Sequence, residues 1–140
     1  MTDNRLSIGI IGLGGVAQAH LQAYELLNNV AIVSVCDVRA DVAETIAKKY
    51  QAQAYSDYRK LLDTGCVDLA LVLTPASTHR EIVEAVAAAG IHVFCEKPIA
   101  VTLEDAEAMV AACKQAKVKL FYGSCYRYLP AIVKAKQLIQ

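Results

Sequence analysis

Short apolar runs alternate along the chain with longer segments in which apolar residues recur every three or four positions. Runs rich in β-branched residues predict strands buried on both faces, and the longer spacing predicts helices with one apolar face. Six strands are predicted, at 6–11, 30–36, 52–54, 67–73, 91–95 and 118–123. Helices are predicted between them, at 16–27, 42–50, 57–63, 82–90 and after the capping residue Thr102, with a last helix beginning at Pro130.

This alternation indicates an α/β domain, because parallel neighbours in a sheet need a helical crossover between them. Six strands favour a three-layer α/β/α Rossmann fold with a doubly wound, mainly parallel six-stranded sheet. A five-stranded flavodoxin-like sheet remains an alternative. The length of 140 residues suits one domain with a substantial core.

Composition removes several classes of protein. Apolar residues make up 56% of the chain and charged residues 20%, which excludes a disordered segment. Fourteen basic residues balance fourteen acidic ones, so we expect neither a nucleic-acid partner nor a charged membrane surface. No apolar run reaches the length of a membrane span, and the glycine-rich apolar start is interpreted as a strand and turn rather than a secretory leader. A cytoplasmic location is expected.

Five cysteines are scattered along the chain, and none forms a C-x-x-C pair. Metal sites usually need two close ligands on each arm, so no metal site is predicted. Most of the cysteines lie in or beside apolar runs, which favours reduced, buried thiols.

A glycine-rich turn stands between the first predicted strand and the first predicted helix. Residues 12–17 read G-x-G-x-x-A, in which Gly12 permits a tight turn and Gly14 lets the backbone approach a pyrophosphate. Ala17 allows the helix to pack closely on the strand, and the positive N-terminus of the helix suits phosphate groups. The turn therefore predicts a dinucleotide site.

An acidic residue follows the second predicted strand. Asp37 lies 25 residues after Gly12, where its carboxylate would accept hydrogen bonds from the adenosine ribose. This favours NAD, because the 2′-phosphate of NADP would meet a like charge. Arg39 keeps NADP open, since a guanidinium there would hold that phosphate or stack on the adenine. An S-adenosylmethionine site is the nearest rival, but that ligand has no pyrophosphate.

Two further motifs follow the fourth and fifth predicted strands. Thr74-Pro75-Ala76-Ser77-Thr78-His79 follows the fourth, and Glu96-Lys97-Pro98 follows the fifth. The carboxyl ends of strands line the ligand crevice of an open α/β sheet, so both motifs are candidates for the same site. The alternative for Glu96 and Lys97 is an ion pair that caps the sheet edge.

Together these motifs resemble one family. The glycine turn, the acid after the second strand, T-P-x-x-x-H and G-x-H-V-x-x-E-K-P are similar to the N-terminal half of the Gfo/Idh/MocA oxidoreductases, named after glucose–fructose oxidoreductase, inositol dehydrogenase and rhizopine catabolism. The resemblance covers essentially the whole chain. It implies an NAD(P)-dependent dehydrogenase that transfers a hydride between nicotinamide and a hydroxyl or carbonyl carbon of a sugar, inositol or related small molecule.

The resemblance also implies roles for single residues. The implied cofactor contacts follow strands of the sheet: Gly12, Leu13, Gly14, Gly15 and Val16 at the pyrophosphate, Asp37 at the adenosine ribose, Thr74, Pro75 and His79 at the middle of the dinucleotide, and Glu96 at the nicotinamide ribose. Arg39 joins them as a candidate contact because of its guanidinium. Lys97 is the expected catalytic residue, because its ammonium would orient or polarise a substrate hydroxyl. Arg127 is a candidate contact to cofactor or substrate, with a plain surface arginine as the alternative. His20 and His92 are interpreted as packing residues.

The resemblance finally implies a second domain, which supplies most of the substrate pocket and a proton-transfer pair. Residues 1–124 are expected to form the NAD(P)-binding domain, and 125–140 to begin the connection to that second domain. The alternative is a stand-alone dinucleotide-binding module or redox sensor without turnover of its own. A homo-oligomer is an open possibility for either.

Overall fold

The computed structural model describes residues 5–139, so residues 1–4 and 140 of the expected domain bounds lie outside the described residues. Its strands are β1 Leu6–Ile11, β2 Val30–Cys36, β3 Gln53–Tyr55, β4 Leu69–Val72, β5 His92–Cys95 and β6 Leu120–Tyr122. Its α-helices are α1 Gly15–Tyr24, α2 Ala40–Tyr50, α3 Tyr58–Leu62, α4 His79–Ala88, α5 Leu103–Gln115 and α6 Pro130–Ile139. Short 3₁₀ turns occupy Ala76–Thr78 and Cys125–Tyr128.

The six strands form one sheet in the order β3-β2-β1-β4-β5-β6, and every neighbouring pair is parallel. This confirms the doubly wound Rossmann fold and removes the five-stranded alternative. The strand order reverses between β1 and β4, which lie side by side at the centre. Ligands of open α/β sheets bind at such a switch point, outside the carboxyl ends of the strands.

A separate apolar core lies on each face of the sheet. On one face Leu21 of α1 and Ala43 and Ala47 of α2 pack against Ile10 and Leu71 of the central strands. On the other face the buried side chains of α3, α4 and α5 pack against the sheet: Leu61, Ile82, Val83, Val86, Ala87, Met109 and Cys113. The central strands therefore carry apolar side chains on both faces, which explains their continuous apolar sequences.

Most predicted element bounds differ from the structure by one to three residues, and two of these differences have a clear physical cause. Helix α1 ends at Tyr24 rather than at residue 27. The prediction was too long because Leu26 is apolar, although it lies outside the helix and is 83% exposed. Strand β3 begins one residue later than predicted, because Gln51 ends α2 in the left-handed conformation. The Ala52 N–H then donates to the Ala47 carbonyl and still belongs to the helix end.

The last segment differs from the rest of the fold in its exposure. Every described residue of α6 is exposed, including the apolar Ile132 and Ile139. None of the described helices has both the length and the apolar character needed to span a bilayer. Cys36, Cys95 and Cys113 are buried free thiols as predicted, whereas Cys66 and Cys125 are exposed.

Candidate functional site

A cavity of about 770 Å³ lies at the carboxyl ends of β1, β2 and β4. Gly12 and Gly14 from the glycine turn line it, together with Asp37 from the end of β2 and Thr74 from the end of β4. Three segments that are far apart in sequence are therefore brought together at the point where the strand order reverses. This is the position that the parallel sheet predicts for a ligand.

Gly12 makes the closest backbone approach in this site. Its φ of +92° lies in the region that favours glycine, and its N–H donates to the Cys36 carbonyl at 2.8 Å. A Cβ at this position would stand 2.9 Å from the carbonyl carbon of Leu73 and 2.9 Å from Cγ2 of Thr74. Only glycine fits the turn between β1 and α1 without moving the end of β4.

Gly14 serves a different purpose, because no strain or packing requires a glycine there. It is the N-cap of α1 with an extended backbone, and a Cβ would meet no atom within 4 Å. No side chain caps α1, so its positive end faces the cavity that Gly14 lines. Gly15 and Val16 are exposed on the same turn. An open helix N-terminus of this kind binds anionic groups such as phosphates.

Leu13 contributes differently from its neighbours in the turn. Leu13 is 3% exposed and packs in the core, so it does not line the cavity itself. The Leu13 N–H donates to Oδ2 of Asp37 at 2.9 Å. This bond fixes the glycine turn to the end of β2.

Asp37 is the best-organised charge in the cavity. Its Oδ1 accepts from the Arg39 N–H at 3.0 Å and from Arg39 Nε at 3.1 Å. Burial raises the pKa of Asp37, but the hydrogen bonds from the Arg39 side chain and from the N–H groups of Arg39 and Leu13 outweigh that effect and hold the pKa below its ordinary value. The carboxylate is therefore ionised and already oriented in the cavity.

His79 stands behind the cavity rather than in its wall. Its ring is 1% exposed, and Nε2–H donates to the Thr74 carbonyl at 2.8 Å. Nδ1 lies 3.2 Å from Sγ of Cys95 and 3.1 Å from the carbonyl oxygen of Ile99. The expected contact between His79 and a dinucleotide is corrected accordingly: its ring is covered by protein, and it holds the backbone of Thr74. Thr74 and Pro75 do line the cavity.

Glu96 and Lys97 follow β5 and do not line this cavity. Glu96 is 9% exposed and its Oε2 accepts from the Lys97 N–H at 2.6 Å, whereas the Lys97 side chain is exposed. The Lys97–Pro98 peptide bond is cis. The side chains of Glu96 and Lys97, both described by the structure, do not form the ion pair considered as an alternative. Oε1 of Glu96 contacts His20 instead.

Arg127 is exposed in the 3₁₀ turn that follows β6 and also lies outside the cavity lining. Its position after β6 places it at the same edge of the sheet as Glu96, since parallel strands end together. The structure thus gathers the glycine turn, Asp37, Arg39, Thr74 and Pro75 in one cavity. Glu96, Lys97 and Arg127 occupy the neighbouring strand ends.

One wall of the cavity was not predicted from the sequence. This wall consists of residues that follow β3, with Glu81 of α4 in contact with them: Ser56, Asp57, Tyr58 and Arg59. Arg59 and Glu81 form an ion pair at 2.5 Å, and Tyr58 donates to the same Glu81 oxygen at 2.8 Å. Burial, followed by the Glu81 carboxylate, raises the pKa of Tyr58 to about 12. The rule used for β4 and β5 would have identified this wall, because these residues also follow a strand.

The part of the chain that the structure describes contains no cluster of three or more His, Cys, Asp or Glu side chains that could hold a metal ion. Cys36 lines the cavity, but burial raises the pKa of its thiol to about 11, with smaller contributions from Asp57 and Asp37. The thiol is therefore protonated near neutral pH and unsuited to act as a nucleophile there.

The chain is similar to known oxidoreductases along most of its length. Residues 6–124 match the Gfo/Idh/MocA family model, whose description is an oxidoreductase family with an NAD-binding Rossmann fold. Myo-inositol 2-dehydrogenase of Thermotoga maritima is 34% identical over 136 residues, which is 96% of this chain and 41% of the relative. D-apiose dehydrogenase of Paraburkholderia graminis is 35% identical over 132 residues, 94% of this chain and 35% of the relative.

Solved structures give the same result for the fold. The WlbA dehydrogenase of Bordetella pertussis, in complex with NADH and UDP-GlcNAcA, superposes with a TM-score of 0.92 at 29% identity. The match covers 96% of this chain and 42% of the WlbA chain. This chain therefore spans less than half the length of the relatives it matches.

Proposed function

This chain belongs to the Gfo/Idh/MocA oxidoreductase family, and from that membership we propose that it is the dinucleotide-binding part of an NAD-dependent dehydrogenase. The reaction is hydride transfer between nicotinamide and a hydroxyl or carbonyl carbon of a sugar, an inositol or a related compound. The names of the relatives from Thermotoga maritima and Paraburkholderia graminis support this substrate class. They favour a dehydrogenase over a stand-alone sensor.

One observation carries the proposal: the open space at Gly14 lies between the uncapped N-terminus of α1 and the carboxylate of Asp37. A pyrophosphate fits beside Gly14 because no side chain fills that space, and the helix end is electropositive. The adenosine ribose then reaches Asp37, whose ionised oxygens accept hydrogen bonds from the ribose hydroxyls. Thr74 and Pro75 line the cavity on the side of β4.

The charge of Asp37 favours NAD over NADP. A 2′-phosphate on the adenosine ribose would bring a second anion against a carboxylate that is 7% exposed. Arg39 does not offset this, because its guanidinium already bonds to Asp37. We therefore propose NAD as the cofactor.

The nicotinamide end is proposed to lie toward Glu96 and Lys97. Nicotinamide supplies the hydride chemistry when it is bound, so the residues of this chain bind, orient and exchange protons. Glu96 presents a carboxylate that suits ribose hydroxyls, and its bond to the Lys97 N–H fixes the turn. The exposed Lys97 ammonium is a donor for a substrate oxygen.

We propose residues 1–124 as the dinucleotide-binding domain and 125–140 as the start of a connection to a substrate-binding part. The family model ends at residue 124, and the apolar residues of α6 are exposed. The two described cores involve only residues up to 120, which supports this boundary.

Asp37→Asn tests the cofactor choice. The substitution removes the negative charge with little change in shape, so we expect the ratio of the Kd for NADPH to that for NADH to fall at least about tenfold. Titration calorimetry with both dinucleotides measures the ratio. Asp41→Asn is the matched control, because Asp41 carries the same charge in the nearby first turn of α2 but does not line the cavity. An unchanged ratio in Asp37→Asn would refute the assignment of Asp37 to the ribose.

A further inference from the structure

One side-chain contact links helix α1 to the end of β5. Nε2 of His20 lies 3.1 Å from Oε1 of Glu96, although 76 residues separate them in sequence. Because a carboxylate only accepts, the Nε2–H of His20 is the donor. The other oxygen of Glu96, Oε2, accepts from the Lys97 N–H at 2.6 Å. Both oxygens of Glu96 are therefore engaged by groups of this chain.

The His20 ring is held by its surroundings. It packs edge-on against Phe94 at 5.2 Å between ring centroids, and stacks with Tyr24 at 6.2 Å. The side chains of His20 and Glu96 are 19% and 12% exposed. A partly buried carboxylate needs hydrogen-bond partners to keep one orientation, and His20 is the side chain that supplies one.

The placement of the pair relates two regions of the site. His20 lies on the helix whose N-terminus begins at the glycine turn, and Glu96 begins the turn that carries Lys97. The contact therefore ties together the two ends of the proposed dinucleotide groove, by which we mean the carboxyl edge of the sheet from Gly14 to Glu96. The sequence suggested that His20 only packs in the protein. Packing would use the faces and edge of the ring against Tyr24 and Phe94, but it would not need the Nε2–H bond to Glu96.

We propose that His20 is a positioning residue that holds the Glu96 carboxylate in the orientation needed to bind the nicotinamide ribose. This rests on the proposed function, since it assumes a dinucleotide that extends from Gly14 to Glu96. Without the Nε2–H, Glu96 keeps a single hydrogen bond and rotates out of the groove. Binding of the nicotinamide half is then weakened, and the adenosine half keeps its contacts to the glycine turn and Asp37.

The test compares two ligands with three variants of this chain. NADH occupies both halves of the groove, whereas ADP occupies only the adenosine and pyrophosphate half. In titration calorimetry His20→Leu is expected to weaken NADH at least tenfold and to leave ADP within twofold. His20→Gln, whose amide nitrogen reaches as far as Nε2, should bring NADH back to within about threefold of the unsubstituted chain. Gln18→Leu, an exposed polar-to-apolar change on the same helix, should change neither ligand.

Equal weakening of NADH and ADP in His20→Leu, or no weakening of either, would overturn the assignment. So would a His20→Gln variant that binds NADH as weakly as His20→Leu. If the unsubstituted chain binds ADP but not NADH, the proposed nicotinamide half fails whatever the variants do. The contact itself is tested without ligand: Glu96→Gln should shift the Nε2 resonance of His20 in ¹H–¹⁵N spectra, and Glu104→Gln should leave it in place. An unshifted resonance in Glu96→Gln would also refute the pair.

Discussion

Gly12→Ala is expected to destabilise the fold by about 3 kcal/mol, because it combines a left-handed backbone with a close backbone contact. The added Cβ would stand 2.9 Å from the Leu73 carbonyl carbon at a residue whose φ is +92°. Neither the backbone of β4 nor the turn yields easily, since the Gly12 N–H also bonds to Cys36. Urea unfolding followed by circular dichroism measures the loss.

The matched control is Gly14→Ala, two residues further along the same turn. A Cβ there meets nothing within 4 Å and the backbone is extended, so the free energy of unfolding should change by less than about 0.5 kcal/mol. The methyl group would nevertheless occupy the proposed pyrophosphate space, and NADH affinity should fall at least about tenfold. If Gly12→Ala unfolds at the same urea concentration as the unsubstituted chain, the structural account of the turn is wrong.

Lys97→Ala is expected to reduce turnover by about 10²–10⁴-fold in a protein that joins this chain to the proposed substrate-binding part. The ammonium is proposed to orient and polarise a substrate oxygen, an interaction that is stronger in the transition state than in the bound ground state. Since Lys97 is exposed and lies outside the cavity that Asp37 lines, the Kd for NADH should change by less than about threefold. Steady-state kinetics with an inositol or sugar substrate and a parallel NADH titration give both values.

Lys119→Ala is the control for the loss of a lysine. Lys119 is exposed just before β6, at the amino end of the sheet, so both kcat and NADH affinity should stay unchanged. Equal losses of turnover and NADH affinity in Lys97→Ala would instead give Lys97 a binding role only.

The fold was predictable from the sequence because the short apolar runs of the strands are easily distinguished from the three-to-four-residue apolar spacing of the helices. β1 and β2 begin and end at the predicted residues, and Thr102 caps α5 as predicted, accepting from the Asp105 N–H at 3.1 Å. Leu26 misplaced the predicted end of α1, since an apolar residue in an exposed turn fits the helical spacing as well as one in the helix does. The spacing of apolar residues therefore predicts which helices and strands form. Where each one ends depends on backbone conformation, such as the left-handed conformation of Gln51 at the end of α2.

Site residues were predictable where they follow strands, and their roles were less so. Asp37 and Thr74 lie in the cavity that their positions predicted. His79 has the same kind of position, yet its ring turns inward to bond Thr74, and side-chain direction is not encoded in spacing. The contact between His20 and Glu96 was invisible for the same reason, because it depends on how α1 lies against β5.

Every role proposed above depends on the binding of a nicotinamide dinucleotide at the carboxyl edge of the sheet. Titration of the chain with NADH, followed by calorimetry, tests it most directly. We expect saturable binding of one NADH per chain, with NADPH at least about tenfold weaker because of Asp37. A titration in which neither NADH nor NADPH binds saturably would contradict it.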